Sequence, residues 1–175
     1  MWAFSDESER GSRMLLGLLV LPAGELAPAR RALRGLLLPG QRRVHTAKES
    51  PRRRRELLDV VMGLELSAMV FELRRPARVH RVAGRERLLR AACGEVSARS
   101  VVMWTLDDQE PAHAARDRRT IEQSVSAQHG PLAYDHRPAR DELLLWAIDA
   151  IVWAVGARGA WAANVRSVEV RAIEP

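Results

Sequence analysis

The chain has one cysteine, one lysine and no long apolar run, and each scarcity excludes something. A lone Cys93 excludes a disulfide framework and a cysteine-based zinc site. Its setting, Leu88-Leu89-Arg90-Ala91-Ala92-Cys93, reads as a helix that places a small residue in the core. The apolar run Met14 to Leu21 falls far short of the roughly 20 residues a membrane helix needs, and the longer stretch Leu143 to Ala157 is broken by Asp149. The N-terminus carries Asp6 and Glu7 and lacks the basic start of a signal peptide, so a cytoplasmic location and no membrane partner are expected. No Gly-x-Gly-x-x-Gly, Walker loop or Gly-x-Ser-x-Gly is present, and the five histidines show no HExxH or His-x-His spacing. These absences count against nucleotide cofactors and the usual serine hydrolases.

The 28 basic residues are 27 arginines and Lys48, against 22 acidic ones, for a net charge of +6. Arginine-favouring codon usage accounts for such a ratio, so only the placement of these residues bears on function. Forty-seven per cent of the 175 residues are apolar, enough for one globular core. No repeat and no Pro/Gly/Ser-rich linker divides the chain, so residues 1–175 are read as one domain.

The pattern predicts strands at Trp2 to Ser8 and Arg13 to Leu21, joined through Gly11 as a β-hairpin. A helix follows from Glu25 to Leu38, then a short strand at Arg42 to Thr46. A second helix opens on Ser50-Pro51, with Ser50 as N-cap. The rest alternates: strand Leu66 to Leu73, helix Gly84 to Ala98, strand Ser100 to Leu106, helix Pro111 to Ser126, an extended piece at Leu132 to Asp135, helix Pro138 to Ala157 and strand Val165 to Ile173. In that helix Asp141 and Glu142 fall in the first turn, where the dipole favours anions. The order predicts an α/β fold with a mixed sheet flanked by helices.

Five features are candidates for carrying chemistry. Asp6-Glu7-Ser8 closes the first strand, and Asp107-Asp108 closes the strand from Ser100, the kind of position where α/β proteins place functional groups. Asp also starts turns, so each pair alone has a purely structural reading. Asp149 has Leu145, Trp146, Val152 and Trp153 around it on its helix, and an ionised carboxylate there needs a compensating partner. That partner is either an arginine or a divalent cation shared with Asp6 and Asp107, since hard cations take oxygen ligands. The segment His45-Thr46-Ala47-Lys48 joins a possible proton donor or acceptor to the only lysine. Finally, Arg52, Arg53, Arg54 and Arg55 stand in the first turn of a helix, against its dipole. A phosphate would relieve that cost; so would solvent and salt.

Together, the opening strand with Asp6-Glu7-Ser8, the hairpin, His45, the strand ending at Asp107 and the late helix Leu144 to Ala154 resemble a bacterial family labelled domain of unknown function 3800. Its members have a ribonuclease H-like fold, open on Asp-Glu-Ser-Gly and close on a helix with a Gln-x-Ala-Asp-like signature. Here Glu9 replaces the glycine, and Leu145-Trp146-Ala147-Ile148-Asp149 keeps the aspartate without the glutamine. The resemblance implies a ribonuclease H-like domain with nuclease-like activity. It implies Asp6, Asp107 (or its rival Asp108) and Asp149 as ligands for Mg²⁺ or Mn²⁺, Glu7 as a supporting group, and His45 and Lys48 near the substrate. Arg52 to Arg55 are the candidate nucleic-acid contacts. The departures favour an alternative, a non-catalytic module of the same fold that binds nucleic acid or a protein partner.

Overall fold

A computed structural model describes all residues except 75, 77, 78, 108–110, 126–131 and 175. Asp108 therefore lies outside the described residues. Strands β1 (Trp2–Arg10) and β2 (Arg13–Leu21) form the expected hairpin, with Gly11 at φ 61° in its turn. The other described strands are β3 (Ser67–Arg74), β4 (Met103–Asp107), β5 (Ala133–Arg137) and β6 (Glu169–Ile173). They build one sheet in the order β5-β4-β1-β2-β3-β6. β2 runs antiparallel to β1 and to β3, whereas β4 is parallel to β1, β5 to β4 and β6 to β3.

The helices divide between the two faces. α1 (Leu26–Arg34), α2 (Pro51–Met62) and α5 (Leu144–Ala157) cover the face carrying Phe4, Leu15 and Leu19. α3 (Arg81–Ala98) and α4 (Pro111–Ser124) cover the face carrying Ala3, Leu16 and Leu18. The period-2 alternation of β1 thus assigns each residue a side: even positions toward α5, odd positions toward α3. β2 is buried nearly throughout because both faces of a central strand are covered. A short α6 (Gly159–Ala163) follows α5 after Arg158, whose φ of 61° breaks the helix.

α5 is apolar almost all round because it lies at the centre of its layer, with Leu144, Leu145, Trp146, Ala147 and Ile148 all buried. It can lie close to the hairpin because β2 offers Gly17 there. A Cβ on Gly17 would stand 2.6 Å from Ile148 Cδ1 and closer still to Val152 Cγ2. Gly17 is also the register partner of Asp6, so the missing side chain admits α5 beside that carboxylate.

Several boundaries differ from expectation, among them the closing strand, which starts at Glu169 instead of Val165. Arg42 to Thr46 forms no strand; the chain is extended there and turns once at Thr46–Lys48. The Thr46 amide goes to the Asp149 carboxylate, so it is not available to a strand partner. The final long helix starts at Leu144, not Pro138. Residues 138–141 make a turn, and the buried Glu142 holds Arg30 and accepts from the Leu144 amide just ahead of the helix. Glu142 thus caps the helix from outside, and Asp141 is exposed. The first helix ends at Arg34, four residues early, on a turn at Gly35. Ser50 caps α2 as expected, accepting from the Arg53 amide at 3.3 Å.

Candidate metal and phosphate site

Asp6 lies on β1 on the α5 side. β1 and β4 pair in parallel as far as Ser5 with Leu106, which brings Asp6 and Asp107 one step further along neighbouring strands. Asp149 comes down from α5. The three interact electrically: burial pushes the Asp6 carboxyl well above its ordinary value, and the charges of Asp149 and then Asp107 push it further. Arg43 and Arg85 pull it back only in part. Asp6 Oδ1 accepts from the Glu7 amide at 2.7 Å.

Asp149 is held from one side. Its Oδ2 accepts from the Thr46 amide and the Thr46 hydroxyl, both at 2.9 Å, and faces His45 Nδ1 at 3.4 Å. Oδ1 takes no hydrogen bond among the described residues. The loop that makes these contacts is itself tied down. Arg54 donates to the carbonyls of Thr46 and Ala47 at 2.9 and 2.8 Å, and its guanidinium lies 4.5 Å from the Trp153 ring centre. The result is a chain of dependence from α2 through Arg54 and Thr46 to Asp149.

Beside this loop is an open cleft of about 370 Å³ lined by Gln41, Arg43, His45, Lys48 and Glu49. Glu49 is engaged by the Gln41 amide at 2.8 Å and by Arg53 at 3.8 Å. Arg43 and Lys48 carry no ion pair among the described residues, so the cleft presents positive charge next to Asp149.

The four-arginine run divides. Arg53 turns inward to Glu56, Glu49 and the Leu36 carbonyl, and Arg54 clamps the loop. Arg52 is largely exposed and pairs with Glu56, and Arg55 lies over Trp161 at 5.9 Å. Of the four expected phosphate contacts, Arg53 and Arg54 are thus engaged within the fold, and carbonyl oxygens, two acids and two indole faces offset the charge at this helix start. Glu7 is also placed differently from expectation. As an odd position of β1 it leaves on the far face, where it pairs with Arg85. Arg85 also forks onto Asp117 at 3.0 and 2.7 Å, and Asp117 meets His136 at 3.1 Å.

Thr46 is the site residue that sequence reasoning missed, whereas Arg54, expected as a phosphate contact, holds the loop that carries Thr46. Thr46 stood in the segment singled out for His45 and Lys48, but nothing in the spacing shows that its hydroxyl turns to a helix about a hundred residues later. Thr46→Val removes the hydroxyl donor, leaves Asp149 under-satisfied and is expected to cost about 1–3 kcal/mol in chemical denaturation. Thr46→Ser should restore most of that loss.

The chain's similarity to known proteins lies in its fold. No family model matches it, and no curated protein matches its sequence. Among solved structures it is similar to a ribonuclease HII from Archaeoglobus fulgidus, determined in complex with PCNA. The TM-score is 0.57 at 15% identity, over 87% of this chain and 70% of that one. The mixed sheet, with its opening hairpin flanked by helices, is a ribonuclease H-like fold.

Proposed function

We propose that the protein is a divalent-metal-dependent nuclease that hydrolyses nucleic-acid phosphodiester bonds, with Asp6, Asp107 and Asp149 as the metal ligands. We also propose that it belongs to the family labelled domain of unknown function 3800. The observation that carries the functional reading is the placement of Asp6 and Asp107 at the adjoining ends of two paired parallel strands, with burial and then the charges of Asp149 and Asp107 raising the Asp6 carboxyl well above its ordinary value. The donor set is all oxygen, which suits Mg²⁺ or Mn²⁺. Such an ion would polarise a phosphoryl oxygen and lower the pKa of a bound water. The open Oδ1 of Asp149 also fits. Among the described residues no group of three or more acidic, histidine or cysteine side chains is placed to hold a metal ion, so this reading requires Asp6, Asp107 and Asp149 to rearrange on binding one.

The remaining roles belong to the chain's own groups. Arg43 and Lys48 in the cleft would hold substrate phosphate, Lys48 as a compact charge and Arg43 as a fork. With Nδ1 against Asp149, His45 has Nε2 left to accept or donate a proton in the cleft. Arg52 and Arg55 at the surface would extend the phosphate track.

The alternative, a non-catalytic ribonuclease H-like module binding nucleic acid or a protein, has its own support. Asp149 Oδ2 is already filled by Thr46 and His45, which is how a purely structural carboxylate is satisfied.

Incubation of the purified chain with labelled RNA, DNA and hybrid duplexes in Mg²⁺ or Mn²⁺ separates the two. Metal-dependent cleavage, lost in Asp6→Asn and Asp149→Asn variants that keep the native circular dichroism, is the expected result. Intact substrate in every combination overturns the nuclease reading, and salt-sensitive binding without turnover then establishes the module.

A further inference from the structure

The face of the sheet opposite Asp6 and Asp149 has its own cavity, between α3 and α4. It encloses about 300 Å³, the lower end of the range for small-ligand sites. Its α4 wall is unusual. His113, Arg116, Asp117, Thr120 and Gln123 follow helical spacing and all line the cavity. A helix stripe turned toward a neighbouring helix is normally apolar, yet this one is polar from end to end.

The charges within the cavity are not balanced against one another. Every acid on the lining already has a partner: Glu7 and Asp117 hold Arg85, and Glu86 holds Arg90 at 2.7 Å. Arg81 is taken by Glu9 at 2.6 Å. Arg116 and Arg119, three residues apart at the mouth, have no acidic partner among the described residues. Deeper in, Met14 and Val82 supply an apolar wall. An unbalanced pair of forked cations above a compact, partly apolar hollow suits one kind of guest. Two guanidiniums one turn apart match an anion with several acceptor oxygens, and the hollow takes an uncharged body.

We propose that this cavity binds a small organic phosphate of nucleoside monophosphate size, with its phosphate between Arg116 and Arg119 and its body against Met14 and Val82. The cavity adjoins the proposed nuclease site, sharing Glu7 and Arg85 with the pocket at Asp6 and Asp107, but its proposed phosphate contacts, Arg116 and Arg119, line only this cavity.

Calorimetric titration of the full chain with adenosine monophosphate tests this, with adenosine, inorganic phosphate and a short single-stranded oligonucleotide as parallel arms. Adenosine monophosphate should bind more tightly than either adenosine or phosphate. The double variant Arg116→Ala/Arg119→Ala, changed only at exposed positions, should weaken binding at least about tenfold. Val82→Phe should block it by filling the hollow while leaving the melting temperature close to that of the parent. Asp6→Asn should bind as the parent does, so loss of the nuclease reading would leave this site standing. No binding of adenosine monophosphate overturns the proposal, as does equal binding of adenosine or an unchanged affinity in the double variant. Binding of the oligonucleotide alone overturns it in favour of a nucleic-acid surface.

Discussion

Arg85→Ala is expected to destabilise the fold by roughly 3–5 kcal/mol, the largest effect of any single truncation considered. Arg85 binds two carboxylates at once across the α3–α4 face, Glu7 from β1 and Asp117 from α4. Its side chain is 13% exposed and that of Asp117 is 3% exposed, so removing the cation strands two acids with little access to water. The pH dependence identifies the cause. Burial pushes the Asp117 carboxyl up, but the hydrogen bonds from His136 and Arg85 more than offset this and hold it below its ordinary value. A carboxyl depressed in the folded state contributes stability above its unfolded pKa and loses it as pH falls through the folded one. In the parent, then, this stabilisation fades in acid. In Arg85→Ala the cost should shrink in acid, where Glu7 and Asp117 can protonate. Adding Asp117→Asn to Arg85→Ala should recover part of the loss at neutral pH. Urea unfolding across pH measures all three, and a cost that does not change with pH would exclude the stranded-charge explanation.

Gly17→Val is expected to cost about 1–3 kcal/mol or more, and to do so by moving a helix. The new side chain would overlap Ile148 and Val152 on a helix buried on nearly all sides. Close-packed interiors transmit such strain. Because α5 also carries Asp149, the displacement should separate Asp149 from Asp6. On the proposed nuclease reading, the variant should therefore lose cleavage beyond what its stability loss explains, and Gly17→Ala should show a smaller version of both effects. Denaturation midpoints and cleavage rates on the same preparations test the coupling. A fully active Gly17→Val protein would show that the close approach of α5 does not set the site.

The strands and helices were largely legible because local rules govern them. The hairpin follows from two apolar runs around Gly11, and the start of α2 from Ser50-Pro51. The split of β1 into two faces was written in its alternation, but which face mattered was not, because that depends on which helices cover it. Glu7 adjoins Asp6 in sequence, but adjacency in a strand sends neighbouring side chains to opposite sides. The sequence marks Asp149 as a carboxylate in need of a partner, either an arginine or a metal ion. Its partners in the fold are Thr46 and His45, a hydroxyl, an amide and a ring. Contacts of that sort depend on where a loop crosses a helix, which no local spacing encodes. Arg54 is the same case: its run suggested phosphate, and its position over Trp153 turned it to internal work.

Thermal unfolding of the parent and Asp6→Asn, with and without Mg²⁺, tests most directly the proposal that Asp6, Asp107 and Asp149 bind a divalent cation together. Asp6 has its folded pKa raised, so the folded state holds a proton that the unfolded carboxylate gives up, and stability is lost as pH rises above the ordinary carboxylate range. Without metal at neutral pH, Asp6→Asn should therefore melt above the parent, by about 2–4 °C for each kcal/mol of repulsion relieved. Mg²⁺ should raise the melting temperature of the parent and leave that of Asp6→Asn nearly unchanged. A variant that melts at or below the parent without metal, together with Mg²⁺ shifts that are equal or absent in both proteins, would contradict the account.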